Sequence, residues 1–128
     1  MYTVTKYPQG TFSWADTNST DPEKAKPFYK GMCGWGNDDL PLGGGMHYSM
    51  MKLEGSNVAG LGPMMDDMKA MGIPSHWNNY ITVDDVDGMI EKVKENGGTV
   101  VAEPFDVFDS GRMMVIQGRS GANVGIWQ

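Results

Sequence analysis

The chain holds few residues able to bind a metal or move a proton near neutral pH. His47, His76, Cys33, Glu54 and Glu103 are its potential metal ligands, scattered over both halves of the sequence. Imidazole, thiolate and carboxylate are the donors a divalent ion needs. No H-x-H, H-x-x-x-H or C-x-x-C spacing joins them. His47 and His76 could build a substitute centre only by tertiary convergence; otherwise they are imidazoles hydrogen-bonded to neighbours. No metal ligand and no cofactor is assigned. For acid–base work the candidates are Asp16, His76 and Tyr80. Burial would raise the affinity of Asp16 for a proton and let it act as a base, with Tyr80 or His76 as donor, whereas a solvated Asp16 would be inert. Cys33 is the single cysteine, has no partner motif, and is expected to be buried. No Lys-Ser/Thr follows Gly43-Gly44-Gly45, so this run is a hairpin connection or a ligand-covering lid, not a phosphate loop.

The elements that must position these groups are clearest in the second half. Residues 77–83 are rich in aromatic and β-branched types and read as a strand. Asp84 can then cap a helix, with Asp87 in its first turn. Val86, Met89, Ile90 and Val93 recur at i, i+3, i+4 and i+7 as one apolar stripe, and Asn96-Gly97-Gly98 supplies a left-handed stop. Half a chain earlier the pattern repeats. Residues 12–19 precede Thr20-Asp21-Pro22-Glu23, a capping-box spacing, and Ala25, Phe28, Tyr29 and Met32 form the stripe. Thr20 aligns with Asp84 and Ala25 with Met89, which indicates one supersecondary unit used twice.

In chain order, a lead-in of residues 1–10 gives way to a strand at 11–17 and a helix at 22–32. Pro27 should kink or split that helix, because it lacks the amide that bonds back to Glu23. Residues 34–46 form a loop or irregular edge strand, 47–54 a strand, and 58–61 a short strand. Residues 62–75 link the halves and contain a helical turn. After the second helix come a strand at 99–102 with an irregular extension to 111, and strands at 112–117 and 123–128. At 128 residues this is a single domain, with unit one at about 10–63, a linker at about 64–75 and unit two at about 76–128. The formal charge of −6 argues against nucleic acid as a partner. MYTVTKYPQG has no basic region followed by an apolar run, and no apolar segment is long enough to span a bilayer. The expectation is a cytoplasmic protein without a membrane partner.

In this order and spacing the residues resemble the vicinal oxygen chelate superfamily, which includes glyoxalase I, bleomycin-resistance proteins and extradiol dioxygenases. The resemblance is to a glyoxalase-like group without obvious metal ligands. It rests on Gly10-Thr11-Phe12-Ser13-Trp14, Thr20-Asp21-Pro22, Phe28-Tyr29, Gly34-Trp35 and residues 58–64. In the second half it rests on His76-Trp77-Asn78, residues 83–87, Gly97-Gly98-Thr99-Val100, Pro104-Phe105-Asp106-Val107, Gly111-Arg112-Met113, Gly121-Ala122-Asn123 and Trp127-Gln128. The resemblance implies an α+β fold of two tandem βαβββ units, an open U-shaped mixed sheet with helices on its convex side. It also implies a divalent metal on four side chains, one from the first and last strand of each unit. Those positions fall at Trp14 and Asn78, near Ala59 with Gly60 as the alternative register, and at Gly125. None is a normal ligand.

If Ala15, Thr17, Asn79, Ile81 and Val83 face the helices, alternation sends Phe12, Trp14, Asp16, Asn78, Tyr80 and Thr82 to the concave side. Tyr48, Met50, Met114 and Trp127 are the candidates from other strands. The ligand-binding set is thus Phe12, Trp14, Asp16, Tyr48, Met50, Asn78, Tyr80, Met114 and Trp127, a mixture of rings and directed polar groups suited to a small organic ligand. Three readings follow: a small-molecule-binding protein of the glyoxalase/bleomycin-resistance type without a conventional metal site, a glyoxalase-like lyase or other enzyme with a non-standard or metal-free site, and a structural or interaction module that uses the methionines of residues 64–71. Open sheet edges and the resemblance together point to a homodimer.

Overall fold

In the computed structural model, which describes residues 3–128, the chain is α+β. Residues 1 and 2 of the lead-in lie outside the described residues. The first half runs β1 (Phe12–Ser19), α1 (Pro22–Cys33), β2 (Gly36–Gly43), β3 (Met46–Leu53) and β4 (Ser56–Pro63). After the short α2 (Asp66–Ala70), the second runs β5 (His76–Thr82), α3 (Met89–Glu95), β6 (Thr99–Val107), β7 (Gly111–Gln117) and β8 (Asn123–Trp127). Strands neighbour one another in the order β2-β3-β4-β1 in the first half and β6-β7-β8-β5 in the second. In each half two antiparallel pairings lead to a last strand that lies parallel to the first. The βαβββ unit is therefore built twice with one topology, as the sequence repeat requires. The chain separates into two compact units, one of residues up to Trp14 with 79–128 and one of Ala15–Asn78, so the division falls within β1 and β5.

In the unit Ala15–Asn78, Asp21 and not Thr20 caps α1. Its carboxylate accepts from the Lys24 amide at 3.3 Å. Thr20 is drawn away, its amide donating to the Ser75 hydroxyl at 2.9 Å, and Glu23 binds Lys26 at 3.1 Å, so the expected capping box does not form. The helix is not split at Pro27: it continues to Cys33, because the ring forfeits its own bond while the bonds on either side carry the helix on. Only half of the predicted stripe packs on the core, and that half is partly buried. Ala25 and Tyr29 pack on Met51, Ala59 and Leu61, whereas Phe28 and Met32 are exposed. Cys33, expected in the core, is half-buried at the last turn of α1. Residues 36–43 form an exposed edge strand, and Gly43, Gly44 and Gly45, with φ of 93°, 60° and 79°, make the connection to β3. The strand expected at 58–61 is longer, β4, and its glycines lie within it.

In the other unit, α3 starts about a turn later than its sequence predicts. Asp84 and Asp87 are not its caps. The amides of Asp84 and Val86 are taken by the side-chain oxygens of Gln9 (3.0 Å) and Gln128 (2.8 Å), and Asp87 accepts from Arg112 at 2.7 and 3.0 Å. These are long-range partners that no local pattern encodes. The stripe itself holds: Val86 and Val93 form a core with Val83, Met114 and Ile126, onto which Met89 and Ile90 pack. The stop holds too. Gly97 has φ 83°, its amide donates to the Lys94 carbonyl at 3.0 Å, and that of Gly98 donates to the Val93 carbonyl at 2.9 Å. The stretch expected to be irregular after residue 102 continues β6 to Val107, with register shifts around Ala102.

Candidate functional site

Register decides which side chains share a face. Asp16 pairs with Gly60 across β1 and β4, and Gly60 with Met50 across β4 and β3. Paired residues point to one side of a sheet, so these three form a row on one face. The neighbouring row, Leu61 and Ser49, points the other way, with Leu61 in the core under α1. Tyr48 lies two residues before Met50 and returns to the face of Asp16. Its ring lies over Gly60 and Gly62, and a Cβ at Gly60 would overlap its phenol. The two glycines are therefore the cradle of a ring, which is why they occur inside a strand that their flexibility would otherwise weaken.

The ring delivers its hydroxyl to Asp16. Tyr48 Oη donates to Oδ2 of Asp16 at 3.1 Å, and Asn78 Nδ2 donates to Oδ1 at 3.1 Å. Asp16 is only 8% exposed. A carboxylate taken this far from water needs donors to stay charged, and here a phenol from β3 and an amide from β5 hold one oxygen each. Of the predicted set, the structure brings together Asp16, Tyr48, Met50 and Asn78. Sequence reasoning paired Asp16 as base with Tyr80 or His76 as acid; it did not name as its partners Tyr48 and Asn78, which donate to Asp16 from 32 and 62 residues away in the chain.

On the opposite face of the same unit is a second polar cluster that the sequence did not reveal. Asp39 on β2 accepts from Ser49 at 2.6 Å, Asn37 at 2.8 Å and Lys26 at 3.2 Å. The Ser49 hydroxyl, aided by Asn37 and Lys26 and opposed by desolvation, holds the Asp39 carboxyl below its ordinary value. Desolvation works against the charge on Lys26, but its bonds to Glu23 and Asp39 prevail and raise its pKa. This cluster ties α1 to the edge strand.

In the other unit, Tyr80 pairs with Gly125, and the Tyr80 ring fills the space where a Cβ of residue 125 would lie. Trp127 meets Tyr80 edge-on, with ring centroids 6.4 Å apart. Met114, expected beside them, is instead fully buried in the core with Val86 and Ile126, because it pairs with Ile126. Its neighbours Met113 and Val115, paired with Trp127 and Gly125, share the face of Tyr80. A shift of one residue along a strand exchanges the two faces. Trp14 is half-buried, while Phe12 is exposed. Ile81 reaches the helix-side core, and Asn79 is exposed.

The implied metal positions do not fit a metal. Ala59 lies in the core under α1, so the β4 position is Gly60, the residue paired with Asp16. Glycine, again at Gly125, has no donor atom, and an indole has no lone pair to give at Trp14. Asn78 has its amide committed to Asp16. Glu54 and Glu103 are exposed, and the His76 ring is bonded to the Pro74 carbonyl at 2.8 Å. Among the described residues no group of three or more His, Cys, Asp and Glu side chains could hold a metal ion. His47 is exposed and lines a groove of about 290 Å³ with Pro22, Lys26, Met46, Met64 and Lys69. None of the nine predicted ligand-binding residues lines that groove. Among the described residues no helix is long and apolar enough to cross a membrane.

Residues 11–126 match the family model described as Glyoxalase/Bleomycin resistance protein/Dioxygenase superfamily. The chain is 48% identical over 124 residues to "Putative glyoxylase CFP32" of Mycobacterium tuberculosis (strain CDC 1551 / Oshkosh), covering 96% of this chain and 47% of that protein. It is 29% identical over 138 residues to the anthracycline biosynthesis protein DnrV of Streptomyces peucetius, covering 98% of this chain and 49% of that one. The chain spans about half the length of these curated relatives. Among solved structures it is similar to methylmalonyl-CoA epimerase from Mycobacterium tuberculosis, with a TM-score of 0.65, 16% identity, and 92% of this chain and 86% of that one covered. It is also similar to hypothetical protein BH1468 from Bacillus halodurans C-125, with a TM-score of 0.66, 19% identity and 94% of each chain covered. At these identities the likeness is one of fold.

Proposed function

Since this chain belongs to the Glyoxalase/Bleomycin resistance protein/Dioxygenase superfamily, we propose that it binds a small organic molecule without a divalent metal, on the sheet face of Asp16, Tyr48, Met50 and Asn78. One observation carries this reading: a phenol lies over the glycine at an implied ligand position and holds a buried carboxylate. Burying a charge costs stability that an apolar side chain at the same place would not. A binding surface gives a reason to keep it, because rings and thioethers supply contact area while a few fixed polar groups orient the guest. A relative named for anthracycline biosynthesis makes a planar polycyclic guest the first to try.

The experiment is calorimetry with a set of planar and aliphatic small molecules that includes an anthracycline, first in chelator and then with zinc, nickel, manganese or iron. Guest binding in chelator, unchanged by added metal, is the expected result. Stoichiometric metal uptake, or binding seen only with metal, would overturn the reading. A second reading rests on the relative named a glyoxylase: an enzyme in which Asp16 takes a proton from the substrate, with Tyr80 or His76 as acid and Tyr48 modulating the base. It predicts turnover that Asp16→Asn abolishes while guest binding survives. We further propose a cytoplasmic homodimer without nucleic-acid or membrane partners. Sedimentation giving a monomer at micromolar concentration would exclude the dimer.

A further inference from the structure

We propose that the groove beside His47 is a second binding site, and that its guest is a zwitterion: a single α-amino acid with an apolar side chain. The groove lies between the start of α1, the first residues of β3 and the segment that runs from Pro63 into α2. Its volume of about 290 Å³ is at the lower end for small-molecule sites and suits a guest of amino-acid size. His47 stands two residues before Ser49 on β3 and shares its face, so the groove is on the side opposite Asp16. The class of guest follows from which charges are already spent. Lys26 and Glu23 bind each other at 3.1 Å, and Lys26 also holds Asp39 at 3.2 Å. Asp66 and Lys69 are in the same wall and three residues apart on α2, yet among the described residues neither side chain has an ion pair or a hydrogen bond. The exposed His47 ring has no hydrogen-bond partner among them either. One open charge of each sign thus faces the groove. An anion alone would meet Asp66 and a cation alone would meet Lys69, whereas a molecule with both charges satisfies both. An α-amino acid does so, its carboxylate accepting from Lys69 and the His47 ring and its ammonium donating to Asp66. Pro22, Pro63, Met64 and Met65 supply apolar wall for its side chain, the thioethers adapting to its shape.

The test compares L-leucine with two derivatives that each lack one charge, N-acetyl-L-leucine without the ammonium and L-leucinamide without the carboxylate. Binding is followed by NMR of the His47 ring and the Met64 methyl group at about 50 mM salt, where ion pairs are only partly screened. Leucine should bind saturably and about fivefold or more tighter than either derivative. Lys69→Met should bring leucine to within about twofold of leucinamide, and Asp66→Asn should bring it to within about twofold of N-acetyl-leucine. Both positions are exposed, so neither change threatens the fold, and an unchanged amide spectrum away from α2 verifies this. A derivative that binds as tightly as leucine, a folded variant that keeps the original preference, or no shift at His47 and Met64 up to about 20 mM leucine would each overturn the proposal. The signals of Tyr48 and Asn78 report the Asp16 face separately, so the binding reading there stands or falls on its own calorimetry.

Discussion

The two halves place a first-strand residue beside a last-strand glycine in the same way and then diverge. In the first half the pair is Asp16 and Gly60, in the second Tyr80 and Gly125. Both glycines are covered by a tyrosine ring, but from different strands: Tyr48 reaches Gly60 from β3, whereas Tyr80 covers Gly125 from the first strand of its own half. In the second half the first-strand position is itself the ring, and the space closes with an aromatic pair. Supplying the ring from β3 leaves the first-strand position of the first half free for a buried carboxylate. The duplicated backbone fixed the cradle, and one exchange of which strand provides the ring produced the chemical asymmetry on which the functional reading rests.

The largest test of this comparison uses the two Met-Met pairs, Met50-Met51 and Met113-Met114. In each the second residue is core and the first lies on the face of the tyrosine ring. Met51→Ala and Met114→Ala should each cost about 2–5 kcal/mol in urea unfolding, and Met50→Ala and Met113→Ala about 1 kcal/mol or less. Equal costs within a pair would break the register assignment. Next come the glycines. A methyl group at Gly125 meets the root of the buried Tyr80 ring, while one at Gly60 meets the hydroxyl end of half-buried Tyr48, which can swing out. Gly125→Ala should cost about 2–3 kcal/mol and Gly60→Ala about 1 kcal/mol, the latter also releasing the Tyr48 to Asp16 bond, visible as a shift of the Tyr48 NMR signals.

A third test concerns acid stability. The folded Asp39 carboxyl titrates below its ordinary 3.8, chiefly through Ser49. Its contribution to stability is therefore full above 3.8 and is lost as pH falls through the lower folded value. Ser49→Ala should cost about 1 kcal/mol at neutral pH and flatten the acid limb of the stability curve. An unchanged limb would mean that the cluster does not govern it. The smallest effect is expected at the exposed clasp of the second half, where Arg112 binds Asp87 and Asp106. Arg112 holds the Asp87 carboxyl below its ordinary value, but both groups are in water, so Arg112→Lys should lower the melting temperature slightly and the difference should fade in high salt. Persistence of the difference at 1 M salt would contradict a screened surface pair.

What the sequence determined by itself was local or periodic. The Val86-Met89-Ile90-Val93 stripe, the Gly97-Gly98 stop, the Gly43-Gly44-Gly45 connection and the doubled strand-helix-strand order all appear in the fold, because each depends on neighbours within about two turns or on a repeat. What the tertiary structure decided was everything set by a distant partner. Thr20 and Asp84 lost their capping roles because Ser75 engaged the Thr20 hydroxyl and Gln128 took the Val86 amide that an Asp84 cap would have bound. Ala59 gave way to Gly60, and Met114 fell to the core, because strand register has no local signal and a shift of one residue inverts the face. The partners of Asp16 were beyond reading for the same reason. A carboxylate in a strand carries no mark of its donors, and only the folded register brings the phenol of Tyr48 and the amide of Asn78 to its two oxygens.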